Sequence, residues 1–197
     1  MQKIILLIGM PGAGKGSIGK ECERYGYTHI SSSSLLSQAG YNLKKSRNIP
    51  DDAVLSLIKD VITKQSDDSI IVLEGFPRSM SQLENLEKEF NIYKAIYLKL
   101  TPSVAFKRVT ERLICPTCGE IYTTNLYKSP KNIGVCDLCG STLAKREGDN
   151  SKIFKKRVYC FTKNSYPIIR YYDLCKKLIT VDATKATDEI VSLIKTL

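Results

Sequence analysis

Short runs of consecutive apolar residues recur along the chain, and most of them are followed by a stretch with helical spacing. A continuous apolar run of four to eight residues is typical of a strand that is buried on both faces of a parallel sheet. The pattern predicts strands at residues 3–8, 28–30, 69–73, 94–100 and 178–181.

Apolar residues three and four positions apart predict the helices between these strands. We expect helices at residues 18–25, at Leu35 and Leu36 behind a capping serine tract, from residue 51 behind Pro50, and at 79–90, 102–113, 149–172 and 187–197. Pro167 should break or kink the long helix. Strands that alternate with helices predict an α/β fold with a three-layer parallel sheet.

The turn between the first strand and the first helix is rich in glycine and reads Gly9-Met10-Pro11-Gly12-Ala13-Gly14-Lys15-Gly16-Ser17. In this strand–turn–helix context, backbone N–H groups and the helix N-terminus bind phosphate, and the lysine reaches the outer phosphates. A glycine-rich turn without a ligand is the alternative, but the strand, the spacing and Lys15 all favour nucleotide binding.

The strand at 69–73 ends in Glu74-Gly75-Phe76-Pro77-Arg78. Open α/β sheets bind ligands beyond the carboxyl ends of their strands. We therefore expect Gly75 and Arg78 to face the same cleft as Lys15.

The composition adds a high positive charge to this picture. The chain has 197 residues, of which 43% are hydrophobic and 25% are charged, and its formal net charge is +10. These values are typical of a globular domain of ordinary size. The charge indicates either a nucleic-acid surface or polyanionic ligands, and the scattered lysines favour a phosphate cleft. No targeting signal or membrane span is visible, so the expected location is the cytoplasm.

Between residue 115 and about residue 146 the helical spacing stops, and two C-x-x-C pairs appear. They supply Cys115, Cys118, Cys136 and Cys139. Four thiolates form a closed tetrahedral site suited to structural zinc, although iron fits the same ligands. A redox pair or a chance pattern is the alternative.

Four other residues with reactive side chains have no such spacing. We expect Cys22, Cys160 and Cys175 to be ordinary buried residues. His29, which is the single histidine, is expected to be structural rather than catalytic.

Taken together, these residues resemble the adenylate kinases of the nucleoside monophosphate kinase family, in the long form with a zinc-bearing lid. The resemblance is carried by the phosphate loop with Gly16 after Lys15, by the run 75–78 with Gln82, by Arg108, Arg112, Arg146 and Arg157, and by the four cysteines. It implies a P-loop kinase core of residues 1–30, 61–113 and 147–197. A helical monophosphate-binding insert at 31–60 and a lid at 114–146 would complete the chain.

The resemblance also implies a role for each matching residue. The catalytic residues would be Lys15, Arg78, Arg112, Arg146, Arg157 and Asp149. ATP would contact Gly12, Ala13, Gly14, Lys15, Gly16, Ser17, Arg108, Arg112 and Lys185. AMP would contact Ser32, Gly75, Arg78, Gln82, Arg146 and Arg157. Magnesium would accompany ATP, and zinc would be structural in the lid.

Four positions depart from the family pattern. Ser37 stands where relatives have an arginine that grips the AMP phosphate, and the loss of one such contact costs ~1.5–3 kcal/mol. We therefore expect weakened AMP binding, unless Lys44, Lys45 or Arg47 substitutes. Gly148 replaces one of two aspartates, Glu111 replaces a glycine, and Thr123 replaces a histidine.

The leading prediction is an enzyme that reversibly transfers a phosphoryl group from ATP to AMP, giving two ADP. A kinase for CMP, UMP or GMP and a catalytically weak nucleotide- or nucleic-acid-binding relative are the alternatives. The expected partners are ATP, AMP and ADP, with no membrane and no nucleic acid, and the expected state is a monomer.

Overall fold

The main sheet has five parallel strands in the order β2-β3-β1-β4-β8. The computed structural model describes residues 2–41, 49–123, 129–146 and 148–197. The strands, in chain order, are β1 (Lys3–Gly9), β2 (Thr28–Ser31), β3 (Ile70–Glu74), β4 (Ile92–Lys99), β5 (Arg112–Ile114), β6 (Ile121–Thr123), β7 (Ala144–Lys145) and β8 (Leu178–Asp182). The predicted α/β class with a parallel sheet is confirmed.

Helices cover the main sheet. They are α1 (Lys15–Glu23), α2 (Ser32–Gln38), α3 (Asp51–Ile62), α4 (Met80–Glu89), α5 (Pro102–Thr110), α6 (Ser151–Leu174) and α7 (Thr187–Lys195). Helix α1 packs against α7, β2 and β3, whereas α6 packs against α4, α5, β4 and β8. The connection from β1 to β2 and the connection from β3 to β4 run in opposite directions along the sheet. Because such crossovers are right-handed, α1 and α7 lie on one face of the sheet and α4, α5 and α6 on the other. Within the described residues, no helix is both long and apolar enough to cross a bilayer.

The predicted strands owe their positions to burial. All residues of β1 after Lys3 are buried, and Ile71, Val72 and Leu73 of β3 are fully buried. Such strands need apolar side chains on both faces, which is why continuous apolar runs located them. All five predicted strands of the main sheet are present, with ends that differ by two residues or fewer.

A second, smaller sheet has the order β6-β5-β7 and is antiparallel. Its apolar core consists of Cys115, Tyr122, Cys136 and Leu143, with Leu113 packed against it. A core of this size stabilises little by itself.

The expected end of the helix at 102–113 is wrong. Helix α5 ends at Thr110, and residues Arg112–Ile114 form β5 instead. The side chain of Leu113 packs into the small sheet's core, and the backbone of β5 pairs with both β6 and β7. Tertiary pairing therefore overrides the helical spacing at this point.

The long helix α6 begins two residues later than expected. Asn150 caps it, since its Oδ1 accepts the N–H of Ile153 at 2.9 Å. The helix continues through Pro167 to Leu174, so the expected break is absent.

The expectation that the three other cysteines are buried holds only for Cys22. Cys160 and Cys175 are exposed, because Cys160 lies on the solvent side of α6 and Cys175 at its C-terminal cap. A small apolar residue at a helix surface gives no signal in a single sequence that distinguishes it from a core residue.

The serine tract extends the helix rather than preceding it. Ser32, Ser33 and Ser34 belong to α2, and Ser31 occupies the N-cap position without a capping hydrogen bond from its side chain. The Ser31 hydroxyl lies 3.1 Å from that of Ser33 instead. Lys44, Lys45 and Arg47 lie outside the described residues.

Candidate active site

The glycine-rich loop connects the buried end of β1 to the start of α1. Gly12 has φ +89°, and a Cβ atom there would lie 2.8 Å from the carbonyl oxygen of Ala105. This position therefore requires glycine both for its backbone conformation and for its contact with α5. The contact fixes the loop against α5, and Ala13 in the loop is 1% exposed.

Lys15 is the first residue of α1, and its side chain folds back over the loop. Its Nζ donates to the carbonyl oxygens of Gly9 at 2.6 Å and of Met10 at 3.2 Å. Burial lowers the pKa of Lys15 from 10.5 to about 8. The Glu74 carboxylate opposes this shift, while nearby guanidinium groups add to it. An ammonium in such surroundings gains from the arrival of an anion.

Glu74 ends β3 next to the loop, and no role was predicted for it from the sequence. A Cβ atom on Gly16 would lie 3.3 Å from its Oε1, and its Oε1 is 3.4 Å from Nε2 of His29. Burial alone would raise the pKa of Glu74, but the bond to His29 and the charge of Lys15 lower it below its ordinary value. A carboxylate that directly follows a central strand in an α/β sheet is the signal that could have identified it.

His29 lies behind the loop rather than in the cleft. Its ring packs onto Gly19, where a Cβ atom would lie 2.2 Å from Nε2. Its Nδ1 is 3.4 Å from Glu23. These contacts fit the structural role that was predicted for this residue.

Ser32, Gly75 and Arg78 meet at the end of β3. Gly75 has φ +81°, and a Cβ atom there would lie 2.4 Å from Oγ of Ser32 and 3.3 Å from Nη2 of Arg78. Arg78 bends back, and its Nε donates to the Gly75 carbonyl at 2.6 Å. The guanidinium is crowded by protein atoms, which lowers its pKa, yet it remains open to solvent. Gln82 follows on α4, where its Oε1 accepts the backbone N–H of Arg78 at 2.7 Å.

Asp149 organises the arginines from the other side of the cleft. Both its oxygens bind Arg112, with Nε–Oδ2 at 2.7 Å and Nη2–Oδ1 at 2.6 Å. Nη1 of Arg157 lies 3.9 Å from the same carboxylate, whose side chain is 2% exposed. A buried carboxylate that forms a bidentate pair of hydrogen bonds holds a guanidinium in one orientation. Because the preceding position is Gly148, Asp149 is the one carboxylate that remains of the two aspartates in the family pattern.

Arg146, the remaining arginine of the predicted set, lies close enough to Arg157 to affect its pKa. Burial lowers the pKa of Arg157, and the charges of Arg146 and Arg112 lower it further, against the effect of Asp149. Arg112 and Arg157 also act on Lys15. The structure thus brings three arginines within electrostatic reach of Lys15, from the end of β3, β5 and α6, and Arg146, next to β7, within reach of Arg157.

Arg108 and Lys185 lie beyond the end of β8. Nη1 of Arg108 donates to the carbonyl of Ala183 at 2.8 Å and lies 3.4 Å from that of Gly12. Lys185 is exposed, and its charge and that of Arg108 act on Asp182, whose pKa is lowered mainly by hydrogen bonds from Thr184. Arg108 therefore lies beside the loop.

Three further departures from the expected pattern have clear positions. Glu111 is the C-cap of α5, directly before Arg112, and is half-buried. Thr123 ends β6 in the small sheet. Ser37 lies in the last turn of α2 and is exposed.

The four paired cysteines converge in the small sheet, with all their sulfur atoms within 4.8 Å of one another. Sγ of Cys115 is 3.4 Å from that of Cys139, and Sγ of Cys118 is 3.6 Å from that of Cys136. Four sulfurs at ~2.3 Å from a tetrahedral zinc ion would be ~3.8 Å apart. The hydroxyl of Tyr122 lies 3.5 Å from the sulfur of Cys136, which is the kind of contact that orients a metal ligand. The cluster could therefore hold one metal ion.

Comparisons with known proteins extend over nearly the whole chain. The sequence profile of the family "Adenylate kinase" matches residues 7–177. An adenylate kinase from Thermosipho melanesiensis is 34% identical, over 95% of this chain and 95% of its own length. Those from Kosmotoga olearia and Clostridium perfringens are 33% and 31% identical, over 91% and 94% of this chain and the same shares of their own lengths.

Proposed function

This chain belongs to the adenylate kinase family, and we propose that it reversibly transfers the terminal phosphoryl group of ATP to AMP, giving two ADP. The observation that carries the proposal is the cluster of cations at one edge of the sheet. Lys15, Arg78, Arg112, Arg146 and Arg157 come from five different segments; the charges of Arg78, Arg112 and Arg157 lower the pKa of Lys15, and those of Arg146, Arg112 and Arg78 lower the pKa of Arg157. So many cations repel one another, and polyphosphate is the ligand that relieves this repulsion.

On the donor side, the loop binds the ATP phosphates. Free backbone N–H groups of the loop and of the first turn of α1 would donate to the phosphates at the helix N-terminus, where the helix dipole favours an anion. Lys15 exchanges its two carbonyl partners for phosphate oxygens. Arg108 lies beside the loop, where its planar group can stack on the ATP base, and Lys185 lies farther out on the same side.

On the acceptor side, Arg78 binds the AMP phosphate. Its guanidinium is open to solvent and lies beside the hydroxyl of Ser32, which offers a further hydrogen bond. Gln82 is one turn away on α4 and faces the AMP base. In this proposal the acceptor is bound between the core and the insert at 31–60.

Between the two nucleotides the chain performs no covalent chemistry. In-line transfer of a phosphoryl group needs alignment of the attacking and leaving oxygens and stabilisation of the charge spread over the transferred group. Arg112, Arg146 and Arg157 supply that charge. Asp149 holds Arg112 in orientation, so it acts as a positioning residue. Closure of the lid at 114–146 over the site would exclude water, which would otherwise take the phosphoryl group.

Two different metal ions would serve this protein, one with the ATP phosphates and one in the lid. Magnesium, when bound with ATP, would neutralise part of the phosphate charge; it prefers oxygen ligands and keeps several waters. Glu74 is a half-buried carboxylate against the loop and suits such a water. In the lid, the sulfur spacing of the four cysteines fits a tetrahedral ion, and we propose that the ion is zinc.

The proposed setting is a monomer in the cytoplasm. A site that needs four thiolates favours a reducing compartment, and the described cysteines are all free of disulfides. Sedimentation equilibrium tests the monomer, and a second species at micromolar concentration would contradict it.

An acceptor panel tests the proposed function. ADP formation is followed with a coupled assay in the presence of ATP, Mg²⁺ and one of AMP, CMP, UMP or GMP. We expect AMP to give the highest kcat/KM. We also expect its KM to be higher than in relatives that carry an arginine at the position of Ser37. A higher kcat/KM for another monophosphate would reassign the acceptor, and turnover with none of them would contradict the proposal.

A further inference from the structure

The carboxamide of Gln82 is held at both of its ends. Its Oε1 accepts the backbone N–H of Arg78 at 2.7 Å. Its Nε2 donates to Oδ1 of Asp51 at 2.6 Å. The backbone N–H of Gln82 also donates to the hydroxyl of Ser79, at 3.3 Å. Three atoms of one residue are therefore anchored before any ligand arrives.

These partners decide which way the amide points. A backbone N–H can only donate, and an ionised carboxylate can only accept. If the amide were turned over, its NH₂ group would face the N–H of Arg78 and its oxygen would face the Asp51 carboxylate. Both hydrogen bonds would be lost, and one of them is charge-assisted. The hydrogen-bond network thus fixes the orientation of the amide, even though its nitrogen and oxygen atoms are hard to tell apart directly.

Both residues of the Asp51–Gln82 bond lie on helices. Asp51 is the first residue of α3, and Gln82 lies in the first turn of α4, behind the N-cap Ser79. The Asp51–Gln82 bond joins two helices whose residues are 31 positions apart. A side chain with locked neighbours on two helix starts holds its geometry better than one on a loop.

We propose that Asp51 is a specificity-determining positioning residue that fixes Gln82 to accept bases with an amino group at the recognised edge. The inference rests on the proposed function and deepens its acceptor site. Adenine presents an N6 amino donor next to the N1 acceptor, and a glutamine amide pairs with such an edge through its oxygen and its NH₂ group. Oε1 retains a second lone pair and Nε2 a second hydrogen for this purpose.

A 6-oxo purine presents the reverse pattern. Hypoxanthine and guanine carry an acceptor at O6 and a donor at N1, so they would need the amide turned over. Asp51 and the N–H of Arg78 oppose that turn. Sites built to hydrogen-bond one pattern reject the other strongly, because buried polar groups are left unpaired. IMP is the cleanest probe, since it has the size of AMP and differs only at this edge.

The test compares AMP and IMP as acceptors in the full-length protein and in three variants. Asp51→Ala removes the anchor and Asp51→Asn keeps an acceptor oxygen for Nε2. Asp52→Ala is the matched control, because Asp52 is the exposed neighbour of Asp51 in the same helical turn. We expect Asp51→Ala to raise the KM for AMP and to lower the AMP/IMP ratio of kcat/KM at least tenfold, with the KM for ATP unchanged. Asp51→Asn should keep the ratio within about threefold, and Asp52→Ala should not change it.

An unchanged ratio in Asp51→Ala, or an equal loss with AMP and IMP, would overturn the inference, since a merely structural role moves both acceptors together. Calorimetric binding of AMP and IMP to the unmodified protein and to Asp51→Ala gives a readout without turnover. Preference for AMP that is lost in the variant supports the inference even if no ADP forms, in which case only the proposed reaction fails. Equal affinity of the unmodified protein for AMP and IMP would overturn it.

Discussion

The donor and acceptor sides of the cleft are built alike but differ in charge. Each begins at the carboxyl end of a buried strand and passes through a glycine with positive φ, Gly12 on one side and Gly75 on the other. On the donor side a lysine follows directly, within reach of several arginines. On the acceptor side, α2 brings serines, and Arg78 is the described guanidinium beside them. We therefore expect the same backbone device to serve a strong phosphate site on the donor side and a weaker one on the acceptor side.

We expect the largest effect from a substitution that disables the donor side. Lys15→Gln removes the ammonium while keeping a hydrogen-bond donor for the carbonyls of Gly9 and Met10. Because charge stabilisation of the transferred group is the main contribution of the protein, we expect kcat to fall roughly 10³-fold. The coupled ADP assay measures it. Lys88→Gln, an exposed change on α4, serves as the control and should leave kcat unchanged. A loss below tenfold with Lys15→Gln would contradict the proposed role.

Removal of the lid metal tests whether the arginines beyond the donor loop depend on the small sheet. Cys115→Ser takes away one ligand and opens the lid's core, which contains Cys115 itself. We expect loss of stoichiometric zinc and a roughly 10²-fold fall in kcat/KM for ATP. The main sheet should still unfold cooperatively.

Elemental analysis, activity and circular dichroism follow these changes. Cys160→Ser, on the exposed side of α6, is the matched control. If Cys115→Ser kept its metal and its activity, the lid would not depend on the cluster. Iron in place of zinc in the unmodified protein would correct the metal alone.

The acceptor side can be tested by a substitution that strengthens AMP binding instead of removing it. Ser37→Arg restores a cation in the last turn of α2, and one charge-assisted contact contributes ~1.5–3 kcal/mol. The KM for AMP should therefore fall roughly tenfold to a hundredfold, with the KM for ATP unchanged. Gln38→Arg adds the same charge one position along the helix and should have little effect. Equal effects of the two variants would mean that net charge, rather than position, governs AMP binding.

The smallest expected effect concerns pH. The pKa of Lys15 is lowered to about 8 in the ligand-free protein, and bound triphosphate favours its charged form. Below pH 8 the ammonium is already charged, so binding takes up no proton. Above it, binding must protonate Lys15, and affinity falls as pH rises. We expect the Kd for ATP to increase roughly eightfold between pH 7.5 and 9. Lys15→Gln should remove this dependence, and a pH dependence that survived in it would assign the titration to another group.

The two sides also differ in how much of them the sequence could predict. The donor loop is local, because strand, turn and helix follow one another within 20 residues, so spacing alone located it. The four cysteines could be predicted as metal ligands equally well, since each C-x-x-C pair is local and has the spacing typical of a metal site.

Tertiary pairing decided the features that were missed. Arg112–Ile114 continue a helical pattern, and only their partners in β6 and β7 make them a strand. The Asp51–Gln82 bond joins residues 31 positions apart, and no spacing in the sequence encodes it. Glu74 was visible at the end of an apolar run, but its role depends on Gly16 and His29 lying beside it.

The central claim is that the cluster of cations transfers a phosphoryl group between two nucleotides. The most direct measurement follows the label after [γ-³²P]ATP is mixed with AMP, Mg²⁺ and the protein in a single turnover. We predict that the label appears in ADP, with little in inorganic phosphate, and that Lys15→Gln abolishes its transfer. Label that appeared mainly as inorganic phosphate, or that stayed in ATP while AMP was bound, would contradict the account.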